Sequence, residues 1–290
     1  MTLFPRRLAL LALAAAFVAV TALPVRAEVA NLDAIKKRGT LRVGVKYDSP
    51  PFGALDPKTN VVGGFDVEIA RGLAKYILGD PKKIEFVQVN SSNRIPLLQN
   101  GDIDLFVATA TITQARMNEI AFSNVYFRAG QSLLVKKGSP VKSYKDLGGH
   151  SVCTTTGSTP ELTIRRLVPN ANVQTFDTYT DCFTALKSGR VDAMTTDNGI
   201  LIGFQQQDPA GLAMVGGTFT AEPYGIGIAK SNDELRGKVN AALTAIRKSG
   251  DLARIWKSTL GQDVPADLNS WYGEGARLAA DQYAAAQPKK

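Results

Sequence analysis

The sequence predicts an α/β protein built as two lobes of like construction, and three observations carry that reading. One pattern occurs twice, as Leu98-Gln-Asn-Gly101-Asp-Ile103-Asp104-Leu-Phe-Val and as Leu186-Lys-Ser-Gly189-Arg-Val191-Asp192-Ala-Met. Each copy reads as a helix end, a glycine stop and a short buried strand. Helical and strand periodicities alternate along the chain, as βαβ units require. Two apolar extended stretches, residues 130–136 and 224–229, flank a smaller βαβ series and are read as the strands that join the lobes. In open α/β sheets ligands bind beyond the carboxyl ends of the strands. The repeated strands run out into Thr109-Ala-Thr111-Ile-Thr113-Gln-Ala-Arg116 and Thr195-Thr196-Asp197, which sets a cation on one wall of a cleft and an anion on the other. A zwitterion suits that arrangement.

The elements follow in order. Residues 1–27 read as a secretory signal peptide: Arg6 and Arg7 precede an apolar run over residues 8–20, and Val25-Arg26-Ala27 offers small residues for cleavage near Ala27. The run is shorter than the ~20 residues of a membrane-spanning helix, and no cysteine follows it, so a soluble periplasmic protein is expected. Residues 28–129 form the first part of lobe 1. Asn31 caps a short helix that Gly39 ends, and residues 41–45 are a buried strand. After Pro50-Pro51 and a Gly63-Gly64 turn comes the clearest helix, with Phe65, Ile69, Leu73 and Ile77 on one face, Asp66 and Glu68 in its first turn, and Gly79-Asp80-Pro81 as its stop. Residues 84–89 are the next strand, and Asn90-Ser91-Ser92-Asn93 supplies capping chemistry for a helix that opens with Arg94.

Lobe 2 spans residues 130–228. Its strand 151–155 runs into Gly157-Ser158-Thr159-Pro160, where Thr159 is expected as N-cap and Pro160 at the first helical position. Free N–H groups there would suit an anion, although an ordinary capped helix explains the same residues. Residues 229–290 return to lobe 1, with helices over 231–260 and a tail after Trp271 that has no readable task.

Composition is that of an ordinary globular protein, with 44% hydrophobic and 21% charged residues in 290. The formal charge is +8, three of it in the leader, and basic residues occur as pairs such as Lys36-Lys37 and Arg165-Arg166 without a long run, so nucleic acid is not an expected partner. Cys153 and Cys182 lie in an exported chain, where a disulfide is expected. Two buried thiols are the alternative, because sequence does not show the Cα spacing a bridge demands. His150, the one histidine, sits in a Gly-Gly-His-Ser turn. No Ser/His/Asp pattern, metal-ligand cluster, Walker loop or Cys-x-x-Cys occurs, and Gly225-x-Gly227 is too weak for a nucleotide site. Neither an enzyme nor a cofactor is expected.

Gly64-Phe-Asp-Val-Glu-Ile-Ala-Arg-Gly-Leu-Ala-Lys-Tyr-Ile77 resembles the signature of the family 3 bacterial extracellular solute-binding proteins, the amino-acid receptors of ABC importers. The similarity extends over roughly the whole mature chain, including Thr111-Ile-Thr-x-x-Arg116 and the turn at Gly157. Asn90-Ser91-Ser-Asn-Arg94-Ile-Pro-Leu-Leu-Gln-Asn-Gly101 is similar to the glutamate/aspartate-binding branch. The resemblance implies a type II periplasmic binding fold whose two lobes close about hinge strands, a monomer that works with a membrane permease, and a ligand site that can be placed residue by residue. Arg116 would hold the α-carboxylate with Thr111 and the Ser158-Thr159 turn, and Asp197 with Thr109 would hold the α-ammonium. Lys46, Arg94 and Tyr179 would face the side chain, and Ser91 is a further ligand-binding candidate. A planar guanidinium suits a bidentate carboxylate. Three cations against Asp197 leave an excess that the two carboxylates of glutamate or aspartate would balance, whereas a neutral amino acid would leave charge unpaired in a closed cleft. Glutamine or asparagine is the alternative ligand, and a periplasmic dehydratase of the same fold is the alternative from another class, which would need a general acid or base in the cleft.

Overall fold

The computed structural model describes residues 29–288; the leader read over residues 1–27 lies outside them. Two five-stranded sheets carry the architecture, and they share one topology. In the first, strand Leu41–Val45 lies between Ile84–Gln88 and Leu105–Phe106, parallel to both, and Gly227–Ile228 then enters antiparallel, followed by Ala121–Phe122. In the second, Ser151–Thr155 lies parallel between Asn172–Phe176 and Ala193–Asp197, and Gln131–Lys136 enters antiparallel, followed by Leu212–Val215. Each sheet therefore takes its fourth strand from chain that has just crossed from the other lobe.

The repeated sequence pattern has a structural reason. In the first copy the Asp104 carboxylate accepts the backbone N–H of Arg42 at 2.8 Å, while its own N–H bonds to Arg42 O at 2.9 Å. In the second, Asp192 accepts the N–H of Ser151 at 2.8 Å and bonds to Ser151 O at 2.9 Å. Each aspartate thus locks the start of its strand to the neighbouring parallel strand of its own sheet. Asp104 is buried and also paired with Arg38 and Arg42, whereas Asp192 faces solvent with His150 Nδ1 3.4 Å away.

The helix Phe65–Leu78 buries Phe65, Ile69 and Leu73 against the first sheet and is covered by Asp233–Lys248, as the return segment was expected to do. Its N-cap, Gly64, has φ +129°, and a Cβ there would stand 2.4 Å from Phe52 O, so glycine is required by both conformation and space. The aromatic rings of Phe52, Phe65, Phe127, Tyr224 and Trp256 pack behind this helix and join the two lobes' cores at the crossing; Phe127 stacks on Trp256 at 5.0 Å and on Tyr224 at 5.5 Å.

The crossing differs from its expected position. Residues 130–136 and 224–229 contain full members of the second and first sheets, and the paired strands that link the lobes are Phe127–Ala129 and Glu222–Tyr224, just before them. The reason is burial: Leu133, Leu134 and Val135 have strands on both sides, so that apolar run is a sheet interior rather than a link. The helix after Gly157 also starts one residue early, with Ser158 as N-cap accepting the N–H of Glu161 at 3.2 Å and Pro160 at the second helical position. The tail folds. Trp271 and Tyr272 are buried on lobe 1, and helix Ala276–Ala285 leads to Gln287 and Pro288, which accept hydrogen bonds from Thr163 and Arg166 of lobe 2.

Cys153, on strand Ser151–Thr155, and Cys182, on helix Tyr179–Ser188, are bridged with their Cα atoms 5.6 Å apart. Replacing both by serine should lower the unfolding free energy by about 3 kcal/mol if loop entropy dominates. Denaturant unfolding of the double variant beside the parent checks this, and titration of two free thiols in the unfolded, unreduced parent would contradict the bridge.

Candidate functional site

The carboxyl ends of both sheets face one another, and the expected residues meet there. Lys46 follows strand Leu41–Val45; Ser91 and Arg94 follow Ile84–Gln88; Thr109, Thr111 and Arg116 follow Leu105–Phe106. From the second sheet come Ser158 and Thr159 after Ser151–Thr155, Tyr179 after Asn172–Phe176, and Asp197 at the end of its own strand. All are buried except Arg116, which is half-buried. The lobes touch. Arg116 donates to Gly157 O at 3.1 Å as well as to Thr111 O at 2.8 Å, Thr111 Oγ1 lies 3.3 Å from Thr159 Oγ1, and the Tyr179 N–H donates to Asp48 at 2.6 Å. Gly157, at φ +76°, lets the second lobe approach the Ser91-Ser92 backbone; a Cβ would lie 3.1 Å from the Ser92 Cα.

Local sequence explains how these groups are held. Asn90 Oδ1 accepts the N–H groups of Ser92 and Asn93, and Asn93 Oδ1 accepts that of Asn90, so the expected capping chemistry is spent on the turn and not on the helix end. The turn presents Arg94 inward, where Nη1 donates to Ala108 O at 2.6 Å, the guanidinium lies 5.7 Å from the Phe106 ring centroid and Nε has no partner among the described residues. Lys46 Nζ sits 4.5 Å from the Tyr179 ring centroid. Burial, reinforced by the charge of Arg94, draws the Lys46 ammonium down to about 7. Asp197 stands at an N-cap position but does not cap; Oδ2 accepts the Tyr224 hydroxyl at 2.5 Å and Oδ1 is buried without a partner, as are Thr109 Oγ1 and Thr196 Oγ1.

Three residues of the site were not foreseen. Asp66 was read as a helix-start acid, yet it is buried and accepts the Thr109 N–H at 2.8 Å and the Tyr126 hydroxyl at 2.9 Å. Its spacing to Ile69 and Leu73 was the available signal, because it shares their face. Thr109 needs that anchor: its φ of +45° is uncommon for a β-branched residue. Burial pushes Asp66 up to about 7. Glu222 is fully buried in the crossing strand, accepting hydroxyl bonds from Thr111 (2.8 Å), Thr159 (2.9 Å) and Thr220 (2.7 Å); burial, and then the charge of Asp197, raise it to about 8. Tyr224 is the third, and it orients Asp197. Neither Glu222 nor Tyr224 belongs to a helical or alternating run, so no periodicity marks them.

Residues 41–262 match the family described as bacterial extracellular solute-binding proteins, family 3. A glutamine-binding protein of Geobacillus stearothermophilus is 54% identical over 201 residues, spanning 69% of this chain and 76% of its own. The glutamate-binding protein GluB of Corynebacterium efficiens is 35% identical over 251 residues, spanning 80% of this chain and 85% of its own. Among solved structures, an ancestral arginine-binding protein bound to glutamine superimposes with a TM-score of 0.73 at 42% identity, over 78% of this chain and 99% of that one.

The Asp66 anchor gives a prediction independent of any ligand. Asp66→Ala leaves the Thr109 amide and the Tyr126 hydroxyl unpaired inside the protein, and the unfolding free energy should fall by about 2–4 kcal/mol. Urea unfolding of the variant checks this, with a loss below about 0.5 kcal/mol contradicting the anchor.

Proposed function

We propose that this chain, which belongs to the bacterial extracellular solute-binding proteins, family 3, and is the binding protein of an amino-acid ABC importer, captures L-glutamate or L-aspartate between its lobes. The observation that carries the acidic ligand is the pair Lys46 and Arg94: each is 2% exposed and neither forms an ion pair among the described residues. A buried cation without an anion is costly. A side-chain carboxylate placed between the ammonium and the guanidinium would relieve both.

The remaining roles follow from the donors and acceptors these residues offer. Arg116, with Thr111 and the Ser158-Thr159 turn, takes the α-carboxylate in planar, two-pronged fashion. The free Oδ1 of Asp197 and the free hydroxyl of Thr109 take the α-ammonium. Ser91 and Tyr179 border the side chain. The lobes close over the ligand as hinged bodies, the protein works as a periplasmic monomer, and the closed form is what its permease meets. Glutamine is the second reading. It is favoured by the 54% identical glutamine-binding relative.

Calorimetry of glutamate, aspartate, glutamine and asparagine into protein freed of bound amino acid by unfolding and refolding tests the choice. Glutamate or aspartate should bind most tightly, and a stronger glutamine isotherm overturns the acidic reading in favour of the second. Arg94→Ala should weaken acidic ligands by about 2 kcal/mol or more while changing glutamine less, because only the former lose a charge partner. Equal losses would move Arg94 into scaffold support. Arg116→Ala and Asp197→Ala should each cost about 2–5 kcal/mol for every ligand that binds, since each strands one end of the zwitterion. Binding within threefold of the parent removes that residue from the clamp.

A further inference from the structure

We infer that Glu222 is a positioning residue that must carry a proton for the cleft to take an amino acid, so that ligand binding draws a proton into the crossing strand. The inference rests on the placement of the α-carboxylate at Thr111, Thr159 and Arg116 proposed above. Glu222 Oε2 lies 2.8 Å from Thr111 Oγ1 and 2.9 Å from Thr159 Oγ1, the two hydroxyls lie 3.3 Å apart, and one belongs to each lobe. Three oxygens thus form a triangle. With Glu222 ionised the triangle holds two hydrogens, one on each threonine, and the carboxylate attracts both. Neither hydroxyl then has a hydrogen free for a ligand carboxylate, and the ligand would meet a second carboxylate a hydrogen bond away.

A proton on Oε2 reverses this. Glu222 then donates to one threonine oxygen, the threonine hydrogens turn outward, and the local negative charge is gone. The third contact does not interfere, because Thr220 donates to the other oxygen, Oε1, at 2.7 Å. The charged and titratable groups facing Glu222 are Arg116, which favours its ionised form, Asp197, which opposes it, and the Tyr283 phenol of the C-terminal helix. Burial adds to the opposition, and the carboxyl sits near 8, so it is mostly protonated at neutral pH and loses the proton just above. Linkage sets the sign: a ligand that binds only the protonated form loses affinity as pH rises through that value, approaching tenfold per pH unit beyond it.

The test compares the parent with Glu222→Gln, whose side-chain amide keeps a donor toward the threonines and cannot titrate. Titrations with L-glutamate and with L-glutamine at pH 8.5, each in two buffers of different ionisation enthalpy, count the protons taken up. The parent should take up a substantial fraction of a proton more than Glu222→Gln with whichever amino acid binds, and between pH 7 and 9 its affinity should fall more steeply than the variant's. Lys46 titrates in the same range but is present in both proteins, so it cancels in the comparison. Equal proton counts in the two proteins overturn the inference. Stronger binding of glutamine overturns only the acidic reading and leaves the count readable. A ligand-independent measurement closes the remaining gap: the infrared difference between parent and Glu222→Gln at pH 6 should contain the carbonyl band of a protonated carboxylic acid, and an ionised-carboxylate band in its place overturns the inference with no amino acid bound.

Discussion

Five ionisable side chains, Lys46, Arg94, Asp66, Asp197 and Glu222, share a space from which water is excluded, and the fold is arranged to tolerate that desolvation. An isolated buried charge is expensive enough that it neutralises, pairs or is surrounded by oriented dipoles. The first and the last of these remedies are present. Lys46, Asp66 and Glu222 shift toward their neutral forms, all three because of burial. Asp197 keeps the Tyr224 hydroxyl on one oxygen, and Glu222 has three threonine hydroxyls. Arg94 has a single carbonyl and an aromatic ring, and Lys46 has an aromatic ring. The two cations that lack an anion among the described residues therefore stand where the proposed ligand side chain would lie.

Two sheets of the same strand order make the arrangement possible. Since both run their parallel strands toward the cleft, Lys46, Ser91, Ser158, Thr159 and Asp197 issue from a strand end or the turn after it, where backbone direction is held by the ladder while the side chain is free to differ between lobes. Asp104 and Asp192 sit at the opposite ends of these strands and fasten them, one paired with two arginines and the other exposed. Tyr224 links scaffold and site most directly. Its ring packs with Phe127 and Phe52 in the crossing, and its hydroxyl reaches Asp197 of the second lobe, so the position of that carboxylate depends on how the two crossing strands are packed.

Local patterns made much of this legible. Glycine stops at Gly39, Gly79 and Gly189, the apolar face of Phe65–Leu78 and the doubled glycine–aspartate motif all report backbone conformation or burial within a few residues, and such signals survive without tertiary information. That the candidate cations and hydroxyls gather at the strand ends was legible through their motif. What escaped was decided by contacts distant in sequence. Glu222 meets Thr111 across 111 residues and Thr159 across 63, and nothing near Glu222 in the chain announces either partner. The crossing strands were misplaced by a few residues because a buried strand with two neighbours and a link between lobes are both short apolar runs; only pairing separates them.

The tail shows the same limit and adds a mechanical point. The chain passes between the lobes three times. Two passages, Phe127–Ala129 and Glu222–Tyr224, are hydrogen-bonded to each other as a ladder. The third leaves lobe 1 at the buried Trp271 and Tyr272, touches the crossing where Arg128 donates to Gln282 at 2.9 Å, and reaches lobe 2 where Arg166 donates to Pro288 O at 2.7 Å and Thr163 donates to Gln287 at 3.3 Å. Among the described residues that passage is held at its far end by hydrogen bonds that side chains of lobe 2 donate. A rotation of lobe 2 about the ladder must therefore carry the tail with it, at the expense of its seat on lobe 1, or break the Arg166 and Thr163 contacts. Each such contact is worth about 1 kcal/mol, the same order as the conformational differences that set how a two-lobed receptor divides its time between open and closed.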